Sequence, residues 1–239
     1  VHGFGAVPSW QWARQVEALA PHHRLLVPEL LHFGQSSSSS ARFDLGVQAE
    51  LVRDLMHHEG FERATLVGVS YGGFVSYLLA STVAPWRVEG LVLIDSPPAV
   101  MTTADAQAMA KRFGAKNVVE VFVPDTVDDL RRLLSIGYHR PPPAPDGVLR
   151  EVLAREYEPH RCQQRALLES MLADPEGLRE RLEPLRTPTL LIWGEHDEVF
   201  PLELARRQLD ALGELGRLEV IDRAAHAPNM ERWEEVNDL

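Results

Sequence analysis

The sequence predicts an α/β fold with a mostly parallel sheet and helices on both of its faces, and three observations lead to this prediction. Short apolar runs alternate with longer segments of helical period. The length of 239 residues suits one full-sized domain, or one domain that carries an insertion. A long block with helical patterns only interrupts the alternation, as an inserted helical lid would.

Five short apolar runs are predicted to be strands, because strands buried on both faces of a parallel sheet are apolar throughout. They occupy residues 25–27, 64–69, 91–94, 189–193 and 218–221. Apolar residues at helical spacing lie between them, and the first such helix should end at Gly60, a residue that favours the left-handed position after a helix. Further helices are expected after Gly73 and after Pro201.

The block between the third and fourth of these runs contains only helical patterns, which prolines at 124, 141–143 and 159 interrupt. The sequence therefore predicts a core made of residues 1–100 and 187–239, with residues 101–186 inserted as a lid above the sheet.

The composition excludes several classes of function. Thirty-five acidic and 24 basic residues give a formal net charge of −11, and such a surface repels nucleic acid. The single cysteine, Cys162, can form neither an intramolecular disulfide nor a thiolate zinc cluster. No apolar run approaches the ~18 residues that a membrane span needs. We therefore expect a soluble, cytoplasmic protein that has no nucleic-acid partner and no membrane span.

Residues 68–72, Gly-Val-Ser-Tyr-Gly, match the pattern G-x-S-x-G. A predicted strand precedes them and a predicted helix follows, as in the turn that presents a nucleophilic serine. Glycines two residues on either side of the serine avoid clashes in so tight a turn. Ser70 is therefore the candidate nucleophile, although the pattern alone also fits a glycine-rich turn.

A serine nucleophile needs a base that takes its proton and a carboxylate that orients the base. His226 and Asp197 are the candidates, because each follows a predicted strand at the sheet edge where open α/β folds build their sites. Asp95, which also follows a strand, is the rival carboxylate, and His196 is the rival base. Asp222 is interpreted as a strand-end residue.

Acyl transfer also needs two donors for the oxyanion of the tetrahedral intermediate. The backbone N–H groups of Phe4, in the segment His-Gly-Phe-Gly at residues 2–5, and of Tyr71 are the predicted pair. We expect the His2 side chain to brace this loop. The histidines and aspartates lack the ligand spacing of a metal site, so neither a metal nor a cofactor is expected.

With these pieces in order, the chain resembles serine hydrolases of the α/β-hydrolase fold over nearly its whole length. It is similar to plant hydrolases related to monoacylglycerol lipases and to meta-cleavage-product hydrolases, in residues 27–31, 68–75, 193–205 and 225–231. Ser70 separates it from haloalkane dehalogenases and epoxide hydrolases, which use an aspartate nucleophile. The resemblance also implies a central strand that ends at His2, so we expect the sequence to be a fragment that lacks its N-terminal strands.

The resemblance implies hydrolysis of a carboxylic ester, lipid-like esters included, through an acyl-enzyme on Ser70 and without a cofactor. Two alternatives stay open, namely hydrolysis of a carbon–carbon bond of the meta-cleavage type and a slowly hydrolysing ligand receptor. The lid is expected to supply an apolar substrate pocket through Met101, Phe113, Phe122, Leu133 and Tyr138.

Overall fold

A parallel four-stranded sheet lies at the centre of the computed structural model, which describes residues 1–39, 41–182 and 185–239. The strands lie side by side in chain order, β1 (Ala64–Val69), β2 (Val88–Ile94), β3 (Thr189–Gly194) and β4 (Gly216–Ile221). Four of the five strand predictions are thus confirmed, and β2 and β4 begin a few residues earlier than predicted.

The predicted strand at residues 25–27 is wrong, since this segment pairs with no strand in the described part of the chain. A strand needs a neighbouring backbone to complete its hydrogen bonds. At the edge of β1 that faces this segment, the backbone of Val1 takes that place, with its amine 2.6 Å from the Val67 carbonyl oxygen. A gap of about 550 Å³ separates residues 25–28 from β1, so these residues have no ladder to join.

Helices cover both faces of the sheet. In chain order, the α-helices of the described residues are α1 (Pro8–Gln11), α2 (Ala13–Leu19), α3 (Leu45–His58), α4 (Tyr71–Leu78), α5 (Thr103–Arg112), α6 (Val118–Phe122), α7 (Val127–Gly137), α8 (Asp146–Val152), α9 (Arg161–Leu172), α10 (Pro175–Arg181), α11 (Leu202–Leu212), α12 (Pro228–Glu231) and α13 (Trp233–Asn237). Short π-helical segments follow α4 and α8, at Leu79–Val83 and Leu153–Tyr157, and 3-10 turns occupy Pro85–Arg87 and Gly213–Leu215.

Two apolar cores form because successive side chains of a strand point to opposite faces of the sheet. Leu93 of β2 is buried in the larger core, which includes residues of α3, α4 and α11. Its neighbour Ile94 is buried in the smaller core with Trp12 and with Val236 of α13. Helix α3 begins directly after its cap Asp44, whose carboxylate accepts from the Val47 N–H, and it ends before Gly60, which has the expected positive φ of 69°.

Helices α5 to α10 all lie between β2 and β3, where the sequence predicts the inserted lid. The block opens on a capping box in which the Thr102 and Asp105 side chains each bond the other residue's backbone N–H. Tyr157 and Leu167 are buried in the larger core, which ties the block to the sheet beneath it. In the described residues, we find no helix with the combined length and apolar character that a bilayer crossing requires.

Candidate active site

Ser70 occupies the sharp turn between β1 and α4. Its backbone has φ 50° and ψ −120°, a region that non-glycine residues adopt at a cost of about 1–3 kcal/mol. Two hydrogen bonds to β2 and the residues after it hold the turn: the Ser70 N–H donates to the Ile94 carbonyl at 2.9 Å, and the Ser96 hydroxyl donates to the Ser70 carbonyl at 2.8 Å. Helix α4 begins at Tyr71, so the serine stands at its N-terminus.

The two glycines of the G-x-S-x-G pattern are required by close backbone approaches. A Cβ atom at Gly68 would collide with the carbonyl group of Gly72. A Cβ atom at Gly72 would collide with the carbonyl oxygens of His2 and Val1. The pattern therefore lets β1, α4 and the segment at residues 1–5 approach one another around the serine.

His226 joins Ser70 to Asp197 through two short hydrogen bonds. Its Nε2 lies 2.8 Å from the Ser70 hydroxyl oxygen, and its Nδ1 lies 2.9 Å from Oδ2 of Asp197. The side chain of His226 is 10% exposed and that of Asp197 is fully buried. The structure thus brings together the three side chains that the sequence predicts, in the order hydroxyl, imidazole and carboxylate.

The loop after β3 fixes the Asp197 carboxylate. Its Oδ1 accepts hydrogen bonds from the backbone N–H groups of Val199, at 2.8 Å, and Phe200, at 3.1 Å. The Phe200 ring packs edge-on against the His226 imidazole with 5.5 Å between the ring centroids. Oδ2 is thereby aimed at the imidazole, and the imidazole is held from its side.

The rival residues lie in different surroundings. His196 is exposed, stacks on His139 and has its Nε2 3.4 Å from a Glu195 carboxylate oxygen. Asp222 is exposed at the end of β4. Asp95 is fully buried beside Asp197 and accepts from the Gly194 N–H at 2.9 Å.

One group of described side chains has a spacing that metal ligands could adopt, and it consists of Asp95, Asp197 and His226. In this group, His226 Nδ1 and Asp197 Oδ2 are hydrogen-bonded to each other. The contacts within this group therefore fit an imidazole that a carboxylate orients.

The predicted oxyanion donors lie in the segment at residues 2–5 and at the start of α4. Among the described residues, neither the Phe4 nor the Tyr71 backbone N–H has a hydrogen-bond acceptor. The Phe4 ring packs edge-on against Phe33 and Tyr71, with centroid distances of 5.0 and 5.4 Å. Both amides are therefore available to a ligand, and aromatic packing holds the loop that carries Phe4 in place.

His2 braces this loop as expected. Its Nδ1–H donates to the Gly3 carbonyl at 2.8 Å, and its Nε2 accepts from the Leu30 N–H at 3.0 Å. Burial lowers the pKa of His2 to about 4, so the ring is neutral and can accept at Nε2. The Gln11 side chain holds the same loop by accepting from the Gly3 N–H at 2.9 Å.

A cavity of about 400 Å³ opens above Ser70 and His226. Its floor is formed by the segment at residues 3–7 and by residues that follow β1, β3 and β4, and its roof by α6, α7, α8 and the segments that follow α7 and α8. No aspartate, glutamate, lysine or arginine is among the described residues that line it. The walls are thus apolar around one polar corner at the serine.

Three of the five predicted pocket residues, Phe122, Leu133 and Tyr138, line this cavity. Met101 and Phe113 do not, because the structure places them in and against the larger core instead. Sequence reasoning missed several other lining residues, Val7, Trp10, Leu134, Val148, Val152 and Met230. Their only sequence signal is apolar helical spacing, which core and cavity residues share.

The chain belongs to the family described as the alpha/beta hydrolase fold, which matches residues 1–232, and the protein is a hydrolase of this superfamily. It is 27% identical to the pimeloyl-[acyl-carrier protein] methyl ester esterase of Vibrio campbellii, over 98% of this chain and 89% of the esterase. It is 25% identical to Lipase 3 of Moraxella sp. strain TA144, over 96% of this chain and 74% of the lipase. The solved structure of 2-hydroxy-6-oxo-6-phenylhexa-2,4-dienoate hydrolase from Rhodococcus sp. strain RHA1 is similar with a TM-score of 0.83 and 25% identity, covering 100% of this chain and 86% of that one.

Proposed function

We propose that the protein hydrolyses carboxylic esters with an uncharged, apolar acyl group, through an acyl-enzyme on Ser70. One observation carries the proposal: the hydrogen-bonded chain of Ser70, His226 and Asp197 opens onto a cavity whose described lining contains no charged side chain. An apolar acyl group fits such walls, whereas the reacting carbonyl needs the polar corner at the serine.

The chain's own residues supply each step of acyl transfer. His226 Nε2 takes the hydroxyl proton while the Ser70 oxygen attacks the ester carbonyl, and Asp197 stabilises the imidazolium that forms. The N–H groups of Phe4 and Tyr71 would hold the oxyanion. The imidazolium then gives its proton to the departing alkoxide, and a water activated by the same imidazole releases the acid.

The absence of charged side chains from the described lining also supports ester hydrolysis over carbon–carbon bond hydrolysis. The similar Rhodococcus enzyme is named for a dienoate, which is a carboxylate. Burying a carboxylate without a cationic partner costs several kcal/mol. Because no lysine or arginine is found in the described lining, the cavity favours a neutral ester over a ring-fission product.

The test compares two p-nitrophenyl esters of the same chain length, one of a fatty acid and one of the dicarboxylic acid that ends in a free carboxylate. We expect turnover of the neutral ester to exceed that of the charged one by at least about tenfold in kcat/KM. A preference for the charged ester, or for a meta-cleavage ring-fission product, would overturn the substrate class.

Ser70→Ala is the control for the reaction itself. A fluorophosphonate probe should label the wild type and leave Ser70→Ala unlabelled, and the variant should lose ester turnover. Equal labelling of both proteins would contradict the role of Ser70. Negligible turnover of every ester, together with saturable binding of one of them, would instead favour the ligand receptor.

A further inference from the structure

Asp95 is a buried carboxyl group that the reaction described above does not use. It follows β2 with a positive φ of 46°, a conformation that aspartate and asparagine tolerate better than other non-glycine residues. It is fully buried, and one of its carboxyl oxygens lies within 4.8 Å of both an Asp197 oxygen and a His226 ring nitrogen. Asp95 therefore lies beside Asp197, the carboxylate that orients His226, and does not take its place.

The two oxygens of Asp95 have unequal partners. Oδ1 accepts from the Gly194 N–H at 2.9 Å. Oδ2 is buried and has no donor among the described residues. An ionised oxygen that is buried without a donor is costly, whereas a protonated one can donate to a neighbouring carboxylate.

Asp197 is the neighbour that can accept such a proton, since one of its carboxylate oxygens lies within 4.8 Å of an Asp95 carboxyl oxygen. On its other sides, Asp197 accepts from the Val199 and Phe200 N–H groups and from the His226 ring. A fourth donor would fix the carboxylate from its remaining side and would keep its charge in place while His226 becomes protonated.

We propose that Asp95 is a positioning residue, a neutral carboxylic acid whose hydroxyl donates to Asp197 and so holds the carboxylate that orients His226. This inference rests on the proposed function only for its catalytic consequence. The surroundings agree with a neutral acid, because burial and the negative charges of Asp197 and Glu231 raise the pKa of Asp95 well above its ordinary value, against the smaller opposite effect of the Gly194 N–H.

Asp95→Asn and Asp95→Ala test the proposal through the pH profile of kcat/KM for an ester that the wild type cleaves. Asparagine keeps an acceptor for Gly194 and a donor for Asp197, so it should recover most of the activity that Asp95→Ala loses, a loss of roughly 10–100-fold. The acid limb of the kcat/KM profile of Asp95→Asn should coincide with that of the wild type. A limb that moves down by about one pH unit in Asp95→Asn would mean that a negative charge was removed beside His226, and would overturn the proposal.

Thermal stability gives a second readout that needs no substrate. An acid that stays protonated in the folded protein but ionises in the unfolded chain lowers stability as pH rises above the ordinary carboxyl pKa. Asparagine has no such proton, so the Tm of Asp95→Asn relative to the wild type should increase steadily from about pH 5 to about pH 7.5. A difference that stays flat or falls over this range would show that Asp95 is ionised.

Asp222→Asn is the matched control, since it removes a carboxylate that also follows a strand of the sheet, β4, but is exposed to solvent. Its Tm difference should stay constant over the same range. A protein without Ser70-dependent turnover would fail the proposed function, and the Tm series would still decide the protonation state of Asp95.

Discussion

Asp197→Asn should abolish most of the activity, for a reason that follows from the hydrogen bonds around this side chain. Oδ1 faces two backbone donors, the N–H groups of Val199 and Phe200. An asparagine must turn its carbonyl oxygen to these donors, because an NH₂ group there would meet two N–H groups. Its NH₂ group then faces Nδ1 of His226.

The substitution therefore reverses the tautomer of the His226 imidazole. With a donor at Nδ1, the ring must accept there and carry its proton on Nε2, which lies 2.8 Å from the Ser70 oxygen. Nε2 can then no longer take the serine proton. The corresponding change in a serine protease triad lowers kcat about 10⁴-fold, and we expect a similar loss, which is about 5.4 kcal/mol at ~1.36 kcal/mol per factor of ten.

The assay is kcat for a p-nitrophenyl ester, measured with enzyme whose active sites have been counted and whose folding has been checked by circular dichroism. A loss smaller than about tenfold would refute the reasoning, because it would mean that the ring keeps its proton on Nδ1. In that case Asp95 would be the carboxylate that orients His226, and Asp95→Asn would show the larger loss instead.

Three further predictions concern the turn, the cavity and the loop brace. In Gly72→Ala, the added methyl group collides with the His2 carbonyl oxygen and shifts the Tyr71 donor, so kcat should fall about 10²–10³-fold. Gly147→Ala is the control, because this helical position has open space for a methyl group, and it should leave kcat unchanged. Leu133→Lys puts a cation in the cavity, so it should reduce the ratio of kcat/KM for the neutral ester to kcat/KM for the carboxylate-bearing ester. Ser135→Lys, exposed on the same helix, should leave this ratio unchanged. The same ratio in the two variants would contradict the charge argument. Because burial lowers the pKa of His2 to about 4, the unfolded chain binds a proton that the folded protein does not, so stability should fall by roughly 3 kcal/mol as pH drops from about 6.5 to about 4. Urea unfolding should show this slope in the wild type and lose it in His2→Gln.

Local signals explain why much of the fold and of the site can be predicted from the sequence. The apolar run of β1 is bounded by Arg63 and by the Ser70 turn, and its predicted limits agree with the structure at both ends. The serine motif is equally local, because its two glycines avoid collisions of the turn with its own flanking residues and with the segment at residues 1–2. His226 can be predicted in the same way, because it comes after a strand.

Non-local relations account for the errors and for the choices that the sequence leaves open. Residues 25–27 have the composition of a strand, but pairing depends on a neighbour that composition does not reveal. Asp95 and Asp197 both follow strands, and only the turn that brings the Val199 and Phe200 N–H groups onto Asp197 selects between them. Met101 and Leu134 are both apolar residues of the helical block, although one is buried in the core and the other faces the cavity.

The division between the floor and the roof of the cavity has a consequence for specificity. The polar groups of the floor lie after β1, β3 and β4 and in the segment at residues 2–5, where backbone hydrogen bonds and close packing fix them. The roof helices supply mainly apolar side chains, whose contacts with an acyl group are nearly the same in the substrate and in the transition state. Substitutions in the roof, such as those at Leu133, should therefore change KM and the preferred acyl group. Substitutions at Gly72 or Asp197, which lie beneath the floor and hold its polar groups, should lower kcat, because the interactions they disturb are made to the developing charge.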